Sequence, residues 1–149
     1  MNRFIIYFLV SLVIISSFQC ARRSLPTGGF KDTLAPIMVN ASPKMNTVFF
    51  DKEKITITFD EYIKLVDLTK QLIISPPLEF SKYKVKPEGT VSKRIQIELM
   101  DSLLDNTTYT FNFGESIIDN NEGNKLPFFN YAFSTGAVID SLEIKGKII

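Results

Sequence analysis

From about Thr33 onward, apolar and polar residues alternate along the chain. "KITITFD" puts Ile55, Ile57 and Phe59 on one side and Thr56 and Thr58 on the other. "RIQIELM" repeats the pattern with Ile95, Ile97 and Leu99, "YTFNFG" with Tyr109, Phe111 and Phe113, and "NYAFSTG" with Tyr131 and Phe133. Successive side chains of a strand point to opposite faces, so this period predicts strands with one buried face. Weaker strands are predicted over residues 37–41, 47–50, 71–75 and 80–86. Turn-forming stretches separate them: "NASPKM", "SPPL", "KPEGT", "MDSLLDNTT" and "DNNEGN". "EYIKLVDLTKQL", residues 61–72, is the nearest approach to a helical period and predicts one helical turn between two strands. Many short strands with frequent turns predict an all-β sandwich or barrel.

One local feature favours an immunoglobulin-like antiparallel β-sandwich. Leu104 lies five residues before Tyr109, at the head of a strong strand. In sandwiches of this class a tyrosine at such a corner folds back and bonds its hydroxyl to upstream backbone. Tyr109 is therefore the candidate structural tyrosine corner, with a plain core aromatic as the alternative.

The first residues follow a different rule. Arg3 precedes "FIIYFLVSLVIISSF", residues 4–18, which carries no charge. A positive start, an apolar run and small residues are the plan of a secretory signal. As a helix the run would span about 22 Å, short of the ~30 Å hydrocarbon core. Cys20, the one cysteine, follows directly. Its position resembles the lipidation site of bacterial lipoproteins, where the thiol is acylated and the signal is cut just before it. Ser17 and Gln19 stand where Leu and a small residue are usual, a looser pattern that Bacteroidetes lipoproteins tolerate. The alternative is an uncleaved signal anchor. Residues 20–32, "CARRSLPTGGFKD", then read as a tether. The expected organisation is a signal peptide at 1–19, a lipidated tether at 20–32 and a sandwich at 33–136. Residues 137–149 read as the start of a further β domain, which would make the chain the N-terminal part of a longer design or a truncated reading frame; the alternatives are a C-terminal tail or an extra strand on the sandwich edge.

Composition narrows the function. Among 149 residues, 17 are Lys or Arg and 16 are Asp or Glu, a net charge of +1. That balance lacks the basic face a nucleic-acid binder needs. Histidine and tryptophan are absent, which removes the commonest general base and metal ligand. One cysteine permits neither an intrachain disulfide nor a cysteine-based zinc site.

Two stretches carry side chains suited to chemistry. Asp60 and Glu61 are adjacent at an expected strand end, so they point to opposite faces and do not oppose each other across a cleft as glycosidase carboxylates must. "DNNEGN", residues 119–124, approaches the start of a calcium loop. Its Gly123 falls one place early, and Asn130 stands where the closing glutamate belongs. A tight turn with Asn and Gly at left-handed φ accounts for the stretch. No catalytic residues, metal ligands or cofactor are expected.

"PTGGFKDTLAP", "ITITFDEYIKL", "LDNTTYTFNFGESIIDNNEGNKL" and "FSTG" together resemble the bacterial Ig-like domain of the SbsA type, as found in Bacteroidetes envelope lipoproteins. The resemblance implies a structural or interaction module rather than an enzyme. The expected function is a non-catalytic, lipid-anchored protein of the cell envelope, at the outer membrane, whose sandwich serves as spacer or interaction module. Its expected partners are the membrane, through the anchor, and an envelope protein or glycan. The alternatives are a carbohydrate-binding accessory lipoprotein, with Tyr62 and Tyr83 as exposed platforms, and the N-terminal fragment of a larger envelope protein.

Overall fold

The computed structural model describes Arg3, Phe4, Tyr7 and residues 29–140. Cys20, most of the predicted signal and residues 141–149 lie outside the described residues. The chain divides into two compact units, Met1–Lys31 and Asp32–Ile149, and among the described residues the second unit carries the strands.

Its strands are β1 (Met38–Ser42), β2 (Lys54–Leu65), β3 (Ile73–Ser75), β4 (Tyr83–Lys86), β5 (Ser92–Leu99), β6 (Thr108–Asn112), β7 (Ile117–Asp119) and β8 (Asn130–Ser134). One short helix, α1 (Leu68–Gln71), and a 3-10 turn at Phe80–Lys82 interrupt them. The first sheet has the order β1-β2-β5-β4, with β7 on the last residues of β2; the second has the order β3-β6-β8. All strand pairs are antiparallel. This is the predicted Ig-like sandwich, two sheets with their apolar faces turned inward.

The alternating runs bury the faces their period predicts. Ile55, Ile57, Phe59, Ile95, Ile97, Tyr109, Phe111, Phe113, Tyr131 and Phe133 are all at most 1% exposed. Phe133 sits at the centre of the aromatic packing, with ring centroids 4.0 Å from Phe50, 5.6 Å from Tyr109 and 6.3 Å from Phe111. Burying a side chain of this size contributes roughly 1.5–3 kcal/mol, and tilted or offset ring pairs add about 0.5–1.5 kcal/mol each.

Some elements differ from the sequence reading. Residues 61–65 are not helical; they extend β2, so Asp60 and Glu61 lie inside a strand rather than at its end. The pairing of β2 with β5 slips between Thr58 and Ile63; beyond that slip Ile63 pairs with Ser92 of β5 on one side and with Asp119 of β7 on the other. The helical turn survives only as α1. Residues 47–50 form no strand: Thr47 makes a single bridge to Phe133, and Asn46 and Phe49 take left-handed φ values of 62° and 50°. That loop lies along β8, with Asn46 N–H donating to Ala132 O and Ser134 N–H to Thr47 O. β7, three residues long, has no counterpart in the sequence reading.

The topology separates the two ends of the domain. At the near pole the Asn124 side-chain amide donates to Asp32 O at 3.1 Å, and Ile37 N–H donates to Asp60 Oδ1 at 2.9 Å. The chain leaves at the far pole, beyond the last residue of β8, where Asp140 N–H donates to Thr108 Oγ1 at 2.9 Å. β8 alone, five residues long, separates the poles by roughly 17 Å.

Candidate functional site

At the near pole the loop after β7 is built around one carboxylate. Asp119 is fully buried. Its Oδ1 accepts N–H bonds from Asn121 (2.7 Å), Glu122 (2.7 Å) and Gly123 (3.2 Å). Its Oδ2 accepts the Asn124 N–H at 2.7 Å. Burial alone would raise the acid's pKa, but the converging N–H groups of Glu122, Asn124, Gly123 and Asn121 outweigh it and hold the carboxyl below its ordinary value. Only Gly123 takes a left-handed φ, +81°, so the expected left-handed asparagines are not what shapes the turn. The carboxylate is the template on which four amides close. Three of these bonds fall on Oδ1 and one on Oδ2, so the loop's own amides take most of the carboxylate's acceptor capacity. Among the described residues no group of three or more Cys, Asp or Glu side chains is placed to hold a metal ion.

Glu61 lies beside this loop. Burial first, then the charges of Asp119, Asp60, Asp32 and Glu122, push its pKa up. Asp60 and Glu61 differ in their tasks: Asp60 accepts the Ile37 N–H, while Glu61 bears the repulsion of the acidic pole.

The far pole is held by hydroxyl groups. Tyr109 is buried, and its hydroxyl accepts the Leu104 N–H at 3.1 Å. Thr135 Oγ1 accepts the Thr107 N–H at 2.9 Å and donates to Leu104 O at 2.7 Å. Gly136 packs so closely that a Cβ there would lie 2.9 Å from Asn106 Cα. A second buried tyrosine, Tyr131, donates to Pro43 O at 2.8 Å, and burial pushes its pKa up to about 12. The sequence reading placed Tyr131 on the core face but did not foresee this tie.

A family model described as a bacterial Ig-like domain matches residues 32–135. The chain belongs to the bacterial Ig-like domain family. No curated protein matches the chain.

Such a domain fits a structural or interaction module, and Ig-like domains of this family are typically non-catalytic. The surface of this Ig-like domain carries two aromatic candidates, which are engaged differently. Tyr62 is 55% exposed, but Lys93 Nζ stands 5.4 Å from its ring centroid. The Lys93 ammonium also donates to Asp60 O at 2.7 Å, which fixes it there. Tyr83 is half-buried, stacked on Phe80 at 5.6 Å and edge-on to Phe111 at 6.4 Å. Burial pushes its phenol pKa up. Tyr83 and Phe80 line an apolar groove of about 590 Å³, with Leu68 and Leu72 of the α1 region and Met100 beyond β5. Tyr62 does not line that groove.

Proposed function

We propose that this protein is lipid-anchored at Cys20 in the cell envelope, at the outer membrane, and that its Ig-like domain is a non-catalytic spacer or interaction module. The observation that supports the spacer role is the separation of the poles: the described chain comes in at Asp32 and reaches Asp140 at the other end of the sandwich. A module threaded in this way sets whatever follows it away from its anchor. Residues 20–32 would add a tether of at most about 47 Å if fully extended. Several acyl chains hold a protein at a membrane because each buried CH₂ contributes about 0.8 kcal/mol.

Carbohydrate binding has less support. Sugar platforms need an open aromatic face, and the Tyr62 face holds Lys93 while Tyr83 is half-buried against Phe80.

Intact mass of the membrane-extracted protein, compared with Cys20→Ser, tests the proposal. A mature chain beginning at Cys20 and heavier by acyl groups is the expected result. An unmodified chain that retains Met1 would refute the anchor.

A further inference from the structure

A net charge near zero conceals a separation of charge. The acids Asp32, Asp60, Glu61, Asp119 and Glu122 gather at the near pole. Cations gather on the outward face of the first sheet. Ile55, Ile57, Val85, Ile95 and Ile97 are buried, so their neighbours along each strand point out. The strand registers set those neighbours in three rows. Lys84, Glu98 and Lys54 form the first, and Lys86, Gln96, Thr56 and Ser42 the second. Arg94, Thr58 and Asn40 form the third. Four cations thus share these rows with one carboxylate. The second sheet is the contrast: Thr108, Thr110 and Asn112 of β6 and Asn130 and Ala132 of β8 alternate with its buried aromatics and carry no charge. Charges spread only for solubility would mix both signs.

Glu98 organises the basic face. Lys86 Nζ donates to its Oε1 at 2.9 Å, and Lys54 Nζ stands 4.0 Å from the same oxygen. The Lys86 hydrogen bond, with the charges of Lys86, Lys54 and Lys84, outweighs burial and holds the Glu98 pKa below its ordinary value. Lys84 and Arg94 take part in no ion pair among the described residues. Lys86 and Arg94 flank a recess of about 450 Å³ that Ser92, Gln96 and Glu88 also line. The neutral places in the three rows are all hydroxyls or amides, and none is a large apolar side chain.

We propose that this face binds an acidic polysaccharide, a linear polymer of carboxylated sugars, with its carboxylates on Lys54, Lys84, Lys86 and Arg94 and its hydroxyls on Gln96, Thr56 and Thr58. Charge complementarity carries the choice of partner. The rows set cations roughly 7 Å apart along β4 and roughly 10 Å apart from β4 across to β2. That spacing fits a polymer with one charge per one or two sugar rings. Duplex DNA is far denser, with a charge every ~1.7 Å of its axis. A membrane-binding face gains from apolar groups that enter the lipid, and these rows have none. An acidic peptide adding as a strand needs a free edge, whereas β2 and β5 are paired on both sides. Ion pairing, rather than stacking on Tyr62 or Tyr83, holds such a glycan. The inference rests on the interaction-module reading and not on the lipid anchor, which the mass of Cys20→Ser tests separately.

Binding of the full chain, in neutral detergent, to immobilised polygalacturonate tests it, with dextran as the uncharged control. Wild type should bind polygalacturonate and not dextran. Its affinity should fall at least about tenfold as NaCl rises from about 50 to about 300 mM. The double variant Lys84→Gln, Arg94→Gln removes two cations that hold no acid of the domain, and should bind about tenfold more weakly. The double variant Lys70→Gln, Lys125→Gln removes the same charge away from the face and should bind as wild type does. No binding by wild type, or the same loss in both double variants, overturns the proposal. Tighter binding to polyglutamate or to duplex DNA than to polygalacturonate overturns it too, by making an acidic protein or a nucleic acid the better partner.

Discussion

The two poles of the domain solve the same problem with opposite chemistry. Each must satisfy backbone N–H groups where the strands stop and the chain turns. The near pole uses a charge: four amides close on the Asp119 carboxylate. The far pole uses neutral hydroxyls: Tyr109 accepts Leu104 N–H, and Thr135 accepts Thr107 N–H. A charged acceptor makes stronger bonds but must be kept from water, and it can be switched off by a proton. A hydroxyl bonds more weakly and is indifferent to acid. The near pole should therefore be the stronger closure at neutral pH and the one that fails first on acidification.

The largest expected effect follows directly. Asp119→Ala leaves four amides without their acceptor and should cost about 2–3 kcal/mol in urea unfolding. Asp119→Asn, which keeps a carbonyl acceptor but no charge, should cost less. The pH dependence has a definite sign. The folded-state pKa of Asp119 is depressed, so its contribution is present above the unfolded value of about 3.9 and is lost as pH falls through the folded value. Wild type should thus lose stability below about pH 4 more steeply than Asp119→Asn. Parallel acid limbs would show that the carboxylate does not hold the loop.

Glycines separate the poles further. Gly136 has an ordinary φ but no room, since its Cβ would meet backbone 2.9 Å away at Asn106. Gly114, at the near pole, has φ +54°, and its Cβ would meet chiefly Gln71 Oε1, at 2.6 Å, the movable end of a side chain. Gly136→Ala should cost about 2 kcal/mol, because packed backbone has to shift. Gly114→Ala should cost nearer 1 kcal/mol, mainly from backbone strain. Thermal melts of the two variants would show whether the order holds; the reverse order would mean that the far pole yields more readily than the near one. Tyr109→Phe keeps the ring and removes one hydroxyl, leaving Leu104 N–H without that acceptor. It should cost about 1 kcal/mol, by the same amount at pH 4 and pH 7.

The sheets were more legible in the sequence than either pole. Ile55, Ile57, Phe59, Ile95 and Ile97 are buried by a period-two rule that acts locally, so a short window reveals it. Residues 47–50 misled because "TVFF" has strand-like composition, while its backbone follows β8 with a left-handed Phe49. β7 is too short for any period to register. Asp119 was the hardest to see. In "DNNEGN" it looks like one more solvated turn residue, and its burial arises only when four successive amides converge in three dimensions. The pairing of β7 with the last residues of β2 was equally hidden, because it joins Ile63, Lys64 and Leu65 to residues more than fifty positions away.

The smallest effect offers the sharpest test of the contrast. Glu61 pays for the charge that closes the near pole: burial, Asp119, Asp60, Asp32 and Glu122 all raise its pKa. A carboxyl with a raised folded-state pKa binds protons more tightly when folded, so stability falls as pH rises from the unfolded value of about 4.3 through the folded one. Glu61→Gln removes that penalty. The variant should melt slightly above wild type at pH 7, and the difference should vanish in acid, where Glu61 is already protonated. Part of the gain should disappear in an Asp119→Asn background, because Asp119 is the largest of the neighbouring charges acting on it. A Glu61→Gln variant that melts below wild type at pH 7 would mean that Glu61 makes a favourable contact there, and the near pole would then rest on two carboxylates rather than one.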